Sequence, residues 1–395
     1  MIIISKSYQN HIKIMSKMDK ALQVIRECIG TKGVWASKDR YQNQCWTRDF
    51  CLATSRLFLS HPDLQDLTIV QNHLENLIKM QKPDGKIPIL FLDNEKQFLR
   101  SRIEKSIQNG KISFMLRRYL EDGLEDLTPH TRDSEILFVI TVCEYILEHE
   151  HKKSSRGPLV DATCFNFYMS ACKAIKYAEE NILKDGLVAG ADWRDVREDL
   201  HDKTVLTNAC FLYRAYNLLE KVSINFKTIT DSNEWKFKAT FTKSLIEKNF
   251  WNGEYFMDYP GCHKFDLLGN SLVVLYGIAN EKQIESIFIY TMSITGKHGI
   301  HTTETFLPPL NEEEKKVMDR DKAVIWPFTN GFMMLAMLGS NEEKWKNFAK
   351  EQFGKWIKLD GFYEWYDIMN GKGYGSPDQV WSAALYLRVD AMAKI

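Results

Sequence analysis

The sequence GYGSPDQVWSAALYL, Gly373–Leu387, joins a polar, glycine-rich turn to a long apolar segment. Gly375 and Pro377 are typical of a turn, and the apolar residues after Gln379 recur at helical spacing. The stretch therefore predicts a helix over about 378–393 that begins beside polar and aromatic side chains. Backbone N–H groups lack helical partners in the first turn of a helix, so a start of this kind is suited to forming part of a pocket.

The same combination occurs five more times along the chain. The six segments rich in polar and aromatic residues that precede an apolar helical stretch are 41–50, 128–135, 191–208, 259–270, 321–331 and 373–381. Six other predicted helices begin in plainer sequence, such as SHPDLQD and GSNEEKW. We predict twelve helices in all, at about 11–30, 49–60, 65–82, 132–148, 163–183, 204–220, 231–250, 266–278, 281–295, 325–338, 341–357 and 378–393.

This alternation predicts an all-α protein in which six helical hairpins close into an (α/α)6 toroid. The helices with polar and aromatic starts would form the inner layer, with their N-terminal ends at one side of the ring. An open helical solenoid is the alternative, but the sequence shows no fixed period of 20–50 residues. The segment at about 83–130 interrupts the alternation and is predicted to be a mostly helical insertion. No linker divides the chain, so residues 1–395 are expected to form one (α/α)6-barrel domain.

Composition and charge limit the classes of partner. Lysine plus arginine and aspartate plus glutamate each number 52, which gives no basic surface excess for nucleic acid or an acidic membrane. The eight cysteines form no CxxC pair, which favours reduced thiols. The isoleucine run after Met1 is too short for a leader or a membrane span. We therefore expect a cytoplasmic protein without metal or organic cofactor.

Two carboxylates stand out because aromatic residues surround them. Glu364 lies in the sequence FYEWYD, whose aromatic residues cannot all be core in a loop, and Asp192 precedes Trp193. Desolvation against an indole raises the pKa of a carboxyl group and suits it to donate a proton. Inverting glycosidases use two carboxyls about 6.5–9.5 Å apart, and two acids on distant loops at one barrel mouth would meet that need. The plainer alternatives are a solvated loop glutamate and a surface pair of Asp192 with Arg194.

The segment YQNQCWTRDF, Tyr41–Phe50, predicts a sugar subsite. Aromatic faces such as Trp46 stack on the C–H surfaces of a pyranose, and the neighbouring Arg48 and Asp49 can take paired hydroxyl groups. The alternative is that Asp49 caps a helix and Arg48 is exposed.

Taken together, these segments resemble the six-hairpin glycosidases, most closely the neutral/alkaline invertases and the glucosidase domain of glycogen debranching enzymes, with kinship to glucoamylases. The similar motifs follow the family order over most of the chain: Arg48-Asp49-Phe50, Arg132-Asp133-Ser134-Glu135, Ala191-Asp192-Trp193-Arg194, Leu267-Leu268-Gly269-Asn270, Trp326-Pro327-Phe328-Thr329-Asn330-Gly331, Phe362-Tyr363-Glu364-Trp365-Tyr366-Asp367 and Gln379-Val380-Trp381-Ser382-Ala383. The chain departs from the invertase pattern because it lacks the glycine–histidine stretch after the acid motif and the histidine of the asparagine loop.

The resemblance implies an inverting α-glycosidase that hydrolyses a small glucoside or oligosaccharide. It implies that Asp192 is the general acid and Glu364 the general base. The residues expected to bind substrate are Tyr41, Trp46, Arg48, Asp49, Asp133, Trp193, Arg194, Trp326, Asn330, Gln379 and Trp381. The expected partner is a small carbohydrate.

Two other functions remain compatible with the same fold. A sugar epimerase would move protons with histidines, and His130, His263 and His301 lie near the polar segments without forming an evident pair. A non-catalytic carbohydrate-binding protein would keep the cavity but not the two acids.

Overall fold

The computed structural model describes residues 16–125, 127–153, 161–226, 228–302, 312–320 and 323–394. The α-helices are α1 (Lys17–Cys28), α2 (Thr47–Asp49), α3 (Ser55–Ser60), α4 (Leu67–Met80), α5 (Glu95–Gln108), α6 (Phe114–Asp122), α7 (Ser134–Lys153), α8 (Ala162–Asn181), α9 (Leu206–Asn225), α10 (Ile229–Phe250), α11 (Leu267–Leu275), α12 (Glu281–Ser293), α13 (Glu312–Arg320), α14 (Pro327–Leu338), α15 (Glu343–Lys358) and α16 (Val380–Ala393). A π-helix, Phe50–Thr54, joins α2 to α3, and a 3-10 turn spans Glu198–Leu200.

Three short antiparallel hairpins accompany the helices. They pair β1 (Gln44–Trp46) with β2 (Leu90–Leu92), β3 (Leu183–Lys184) with β4 (Leu187–Val188), and β5 (Trp365–Tyr366) with β6 (Gly373–Tyr374).

Six helical units form a closed inner ring. The π-helix that follows α2 packs against α7, which packs against α9, and the contacts continue through α11, α14 and α16. The last helix, α16, packs back on the π-helix and so completes the circle. This closure confirms the predicted (α/α)6 toroid and excludes an open solenoid.

An outer layer of helices covers the ring. Helices α4, α8, α10, α12 and α15 each pack on inner units that neighbour them in sequence, and α1 packs on α16, the last inner helix. A helix is found at each of the twelve predicted places, with ends shifted by a few residues; positions 11–15 of the first predicted helix lie outside the described residues. Helix α13 was not predicted, because its sequence EEEKKVMDR has only two apolar residues and therefore no helical stripe of them.

Hydrophobic patterning explains the two layers. All twelve residues of α14 are buried, because its sequence PFTNGFMMLAML is apolar around most of its circumference. Helix α15 buries one stripe only, formed by Trp345, Ala349, Gln352, Phe353 and Trp356. A helix that is apolar on all sides is stable only when it is surrounded, so such helices occupy the inside of the ring.

The predicted insertion at about 83–130 contains β2 and the two helices α5 and α6. Its buried residues Leu90 and Phe98 form a small separate core with Trp46. Since β2 also pairs with β1, in which Trp46 lies opposite Leu90, the insertion supports the segment that carries Tyr41 and Trp46.

The two ends of the ring are joined by backbone contacts. The N–H of Val380 donates to the carbonyl of Ala36 at 3.0 Å, and Ser37 and Gln379 form an isolated antiparallel bridge. The ammonium group of Lys17 donates to the carbonyls of Leu359 and Gly361 at 2.5 and 2.6 Å. These contacts hold the loop before α16 against the segment before α2.

All eight cysteines are free. In the ranges that the structure describes, no helix combines the length and the apolar character needed to cross a membrane.

Candidate active site

A cavity opens at the N-terminal end of the inner ring. It has a volume of about 560 Å³, counting the part open to solvent. Its lining residues are Ala36, Tyr41, Trp46, Arg48, Asp49, Trp193, Arg194, Asp195, Val196, Trp326, Glu364, Gln379 and Trp381. Four of the six polar and aromatic segments contribute side chains, so the converging helix starts form one site as predicted.

Glu364 is buried at the wall of this cavity and accepts hydrogen bonds on both carboxylate oxygens. Its Oε1 accepts from the hydroxyl of Tyr41 at 3.1 Å and from Nε2 of Gln379 at 3.0 Å. Its Oε2 accepts from the N–H of Ser376 at 2.7 Å and from a guanidinium N–H of Arg40 at 3.3 Å. The carboxylate is therefore fixed by donors from both ends of the chain.

Two opposing effects act on the pKa of Glu364. Burial raises this pKa above its usual value, while the charge of Arg40 and the hydrogen bonds from Ser376, Tyr41 and Gln379 counteract part of the increase. Burial, assisted by the charge of Glu364, also raises the pKa of Tyr41, so the phenol stays neutral and donates its proton to the carboxylate.

Arg48 holds a second group of carboxyls. Its guanidinium lies 3.3 Å from Asp195 Oδ2 and 3.7 Å from Asp133 Oδ2. Asp195 lines the cavity and its side chain is 15% exposed, whereas Asp133 is fully buried behind Arg48. Asp49, next to Arg48 in sequence, also lines the cavity.

The carboxyls near Arg48 are crowded. Burial raises the pKa of Asp49 to about 7. The charge of Arg48 lowers this pKa, but the negative charges of Glu364, Asp195 and Asp133 partly offset that effect. Burial likewise raises the pKa of Asp133 to about 7. Both pKa values lie near neutral pH, so these two carboxyls bind protons in a pH range in which an exposed aspartate is ionised.

Asp192 differs from the sequence expectation. Its side chain is 0% exposed and does not line the cavity, because the N–H and guanidinium of Arg194 donate to both of its carboxylate oxygens at 2.8–3.0 Å. Arg194 also donates to Asp258 Oδ1 at 2.6 Å. Arg197 joins this network by donating to Asp258 Oδ2 at 3.4 Å. The network stabilises the loop, and both carboxylate oxygens of Asp192 are used within it.

Asn330 also differs from its predicted role in substrate binding. Its amide accepts from the N–H of Ile300 and donates to the carbonyls of Ile300 and Trp326, at 2.9–3.1 Å. These bonds connect two loops, and Asn330 does not line the cavity. Arg194 does reach the lining, but its donors are committed to Asp192 and Asp258, so both residues act as structural supports.

Indole and phenyl rings form one side of the cavity. The rings of Trp193 and Trp326 meet edge to face at 5.0 Å, and Phe328 lies behind them, stacked on Trp381 at 4.2 Å. The Nε1 of Trp381 and the Oε1 of Gln379 have no hydrogen-bond partner within the described residues. Both atoms lie in the wall of the cavity with almost no accessible surface.

The structure brings together ten of the predicted residues at the cavity: Tyr41, Trp46, Arg48, Asp49, Trp193, Arg194, Trp326, Glu364, Gln379 and Trp381. Sequence reasoning missed the positions of Asp195, Arg40 and Ser376. The sequence ADWRD could have indicated Asp195. In a tight turn, Asp192 can pair with Arg194, two residues later, and this leaves Asp195 to point elsewhere.

Histidine and metal-ligand chemistry lie elsewhere in the described part of the chain. No histidine lines the cavity, and His130 is stacked on His201 at 3.8 Å. In the same ranges, the group with ligand atoms close enough to hold a metal ion is His149, Asp161 and Cys164, which belong to α7 and the start of α8 and do not line the cavity.

Comparison with solved structures identifies the fold. A glycosidase variant in complex with glucose shares it with a TM-score of 0.65 at 10% sequence identity, over 95% of both chains. The GH78 family rhamnosidase of Bacillus sp. GL1 matches with a TM-score of 0.63 at 12% identity, over 94% of this chain and 34% of that one. The GH63 mannosylglycerate hydrolase from Thermus thermophilus matches with a TM-score of 0.54 at 13% identity, over 94% of this chain and 98% of that one.

These likenesses show that the chain has the (α/α)6 fold of those glycosidases. No protein-family model matches the sequence, and no curated protein is significantly similar to it.

Proposed function

We propose that this protein is an inverting glycoside hydrolase in which Glu364 is the general base and Asp195 the general acid. The observation that carries the proposal is that these two carboxyls, from loops 169 residues apart in sequence, line one cavity walled by tryptophans. The shared fold with the solved glycosidases supports the reaction class. The resemblance to invertases and debranching glucosidases supports an α-linked small glucoside or oligosaccharide as substrate.

Glu364 suits the role of base because it lines the cavity and hydrogen bonds fix its orientation. A general base must be held within hydrogen-bond distance of the water that it deprotonates. The bond from Arg40 is long, at 3.3 Å, and the Arg40 side chain is 31% exposed, so a water can replace that donor at little cost.

Asp195 takes the role that the sequence suggested for Asp192. A general acid has to reach the glycosidic oxygen, and Asp195 lines the cavity whereas Asp192 is enclosed by Arg194. Four carboxyls, Asp49, Asp133, Asp195 and Glu364, share the charges of Arg48 and Arg40. Burial raises the pKa of Asp49 and of Asp133 to about 7, and Asp195 is among the charges that act on both.

The proposed reaction proceeds in one displacement. Glu364 removes a proton from water as the water oxygen attacks the anomeric carbon, and Asp195 protonates the departing glycosidic oxygen as its bond to that carbon breaks. The tryptophans stack on the sugar and exclude water, while Arg48 and Asp49 hold hydroxyl groups.

The test is a screen of sucrose, trehalose, maltose, isomaltose and mannosylglycerate by ¹H NMR. We expect one of these α-glycosides to be hydrolysed with the β-anomer of the released sugar appearing first, because water attacks the face opposite the leaving group. Initial release of the α-anomer would contradict inversion. An epimer formed from a free N-acylhexosamine, with no hydrolysis of any glycoside, would instead favour the isomerase.

The pH dependence of kcat/KM should reflect the crowded carboxyls. Burial raises the pKa of Glu364, and a base works only when deprotonated, so activity should fall as the pH decreases through a value above the ordinary glutamate pKa. Asp49 and Glu364 repel each other when both are charged. The Asp49→Asn variant should therefore have its acidic limb at lower pH, even if binding is weakened. An unchanged limb would mean that Asp49 does not act on the base.

A further inference from the structure

A second cluster of charged side chains lies in the C-terminal part of the inner ring. We call it the arginine cluster, and its members are Arg56 on α3, Glu144 on α7, Arg214 on α9, Tyr276 after α11 and Arg388 on α16. Arg388 follows the cavity residue Gln379 by nine residues along α16, which at 1.5 Å per residue corresponds to about 13 Å. None of the five residues lines the cavity, so this is a separate site.

One carboxylate in this cluster serves two guanidinium groups. Arg56 donates from Nε to Glu144 Oε2 at 3.0 Å and from a terminal nitrogen to Oε1 at 2.5 Å. Arg214 donates to the same Oε1 at 3.0 Å. Burial acts to raise the pKa of Glu144, but the two arginines more than offset it and lower the pKa below its ordinary value. Glu144 is therefore ionised, and its charge is already committed.

Arg388 has no such partner. No hydrogen bond or ion pair joins its guanidinium to any residue that the structure describes, and one terminal nitrogen, NH1, is buried without an acceptor. Burial and the nearby charge of Arg56 lower its pKa to about 9, which still leaves it protonated at pH 7. The Nε of Arg214 is also buried without an acceptor.

The cluster thus carries an excess of positive charge. Three guanidiniums face one carboxylate, and Tyr276 remains neutral because burial raises its pKa. The partial negative charge at the C-terminal ends of the inner helices offsets part of this excess. It does not supply acceptors for the unpaired N–H groups, and a buried donor without an acceptor is costly.

We propose that the arginine cluster binds a small oxyanion of the phosphate class, with the partly exposed Arg388 as its main donor. Guanidinium groups bind phosphate oxygens through parallel N–H bonds, and a dianion would neutralise the excess of two charges. The side chains of Arg56 and Arg214 are 18% and 25% exposed, so solvent reaches the cluster. This proposal does not depend on the chemistry proposed at the cavity.

The test compares thermal unfolding of the full-length protein in sodium phosphate and in sodium chloride of the same ionic strength. A ligand that binds only the folded state raises Tm, and at a hundredfold excess over Kd we expect an increase of about 3 °C. Isothermal titration with phosphate then gives Kd. A phosphate effect no larger than the chloride effect would overturn the proposal.

Variants locate the effect. Arg388→Gln should weaken phosphate binding about tenfold or more, since a hydrogen bond to a charged group is lost. Arg100→Gln, a change of the same type at an arginine exposed on α5, should leave Kd unchanged. Arg388→Lys, which keeps the charge, should retain most of the binding and serves if the glutamine variant does not fold. Equal phosphate affinity in wild type and in a folded Arg388→Gln variant, or a loss of the same size in Arg100→Gln, would overturn the assignment.

Discussion

The Glu364→Gln variant should fold normally and lose hydrolytic turnover by about 10²–10⁴-fold, the usual contribution of a general base. Glutamine keeps nearly the shape of the side chain, but its amide nitrogen cannot accept the hydrogen bonds made to one carboxylate oxygen, and it cannot take a proton from water. Burial raises the pKa of Glu364, so the substitution removes the cost of ionising a buried group, but it also removes the ion pair with Arg40.

The measurement is kcat on the substrate found by the anomer screen, with Tm and circular dichroism to verify folding. Glu104→Gln is the matched control, because that glutamate is exposed on α5 and pairs only with Arg100. The loss in Glu364→Gln should persist with a glycosyl fluoride, since the water must still be deprotonated when the leaving group is good. A folded variant within fivefold of wild-type kcat would contradict the role of Glu364.

A comparison of Asp195→Asn with Asp192→Asn should separate the two candidate acids. Asp195→Asn should reduce turnover of an ordinary glycoside by about 10²–10⁴-fold. It should reduce turnover of the corresponding glycosyl fluoride far less, because fluoride leaves without protonation. Asp195 makes only one ion pair, with Arg48, so the variant should fold.

Asp192→Asn should behave as a structural change. Removing one partner of a buried ion pair typically costs about 3–5 kcal/mol, and Asp192 is the partner that accepts from both the N–H and the guanidinium of Arg194. We expect a lower free energy of unfolding by urea denaturation and an activity loss of similar size on glycosides and fluorides. If Asp192→Asn, and not Asp195→Asn, lost activity on the glycoside but kept it on the glycosyl fluoride, the proton donor would be Asp192. The same pattern in Asp49→Asn would assign the role to Asp49.

The ring could be predicted from the sequence because the same pattern of helix starts occurs six times. Six polar and aromatic starts alternate with six plain ones, and inner helices such as α14 are apolar on every side. The site could be predicted only in part. Asp192 and Asp195 are three residues apart beside the same tryptophan, and which one turns inward depends on where Arg194 finds its partners.

The distant partner of Arg194 is Asp258, on a different segment, and no local pattern indicates that contact. The same limit applies to Asn330. An asparagine at the start of an inner helix can face a ligand or connect two loops, and the position of Ile300 decides in favour of the second role.

The junction of Ala36 with Val380 has a consequence for how activity appears during folding. Tyr41 and Glu364, which are 323 residues apart, meet only when the last helix has packed against the first ones. Contacts of such long sequence separation form late, since the entropy of closing the intervening chain must be overcome first. Catalytic activity should therefore return last during refolding, after most of the helical circular dichroism signal. An activity assay would then detect the closure of the ring, which a measurement of helix content does not.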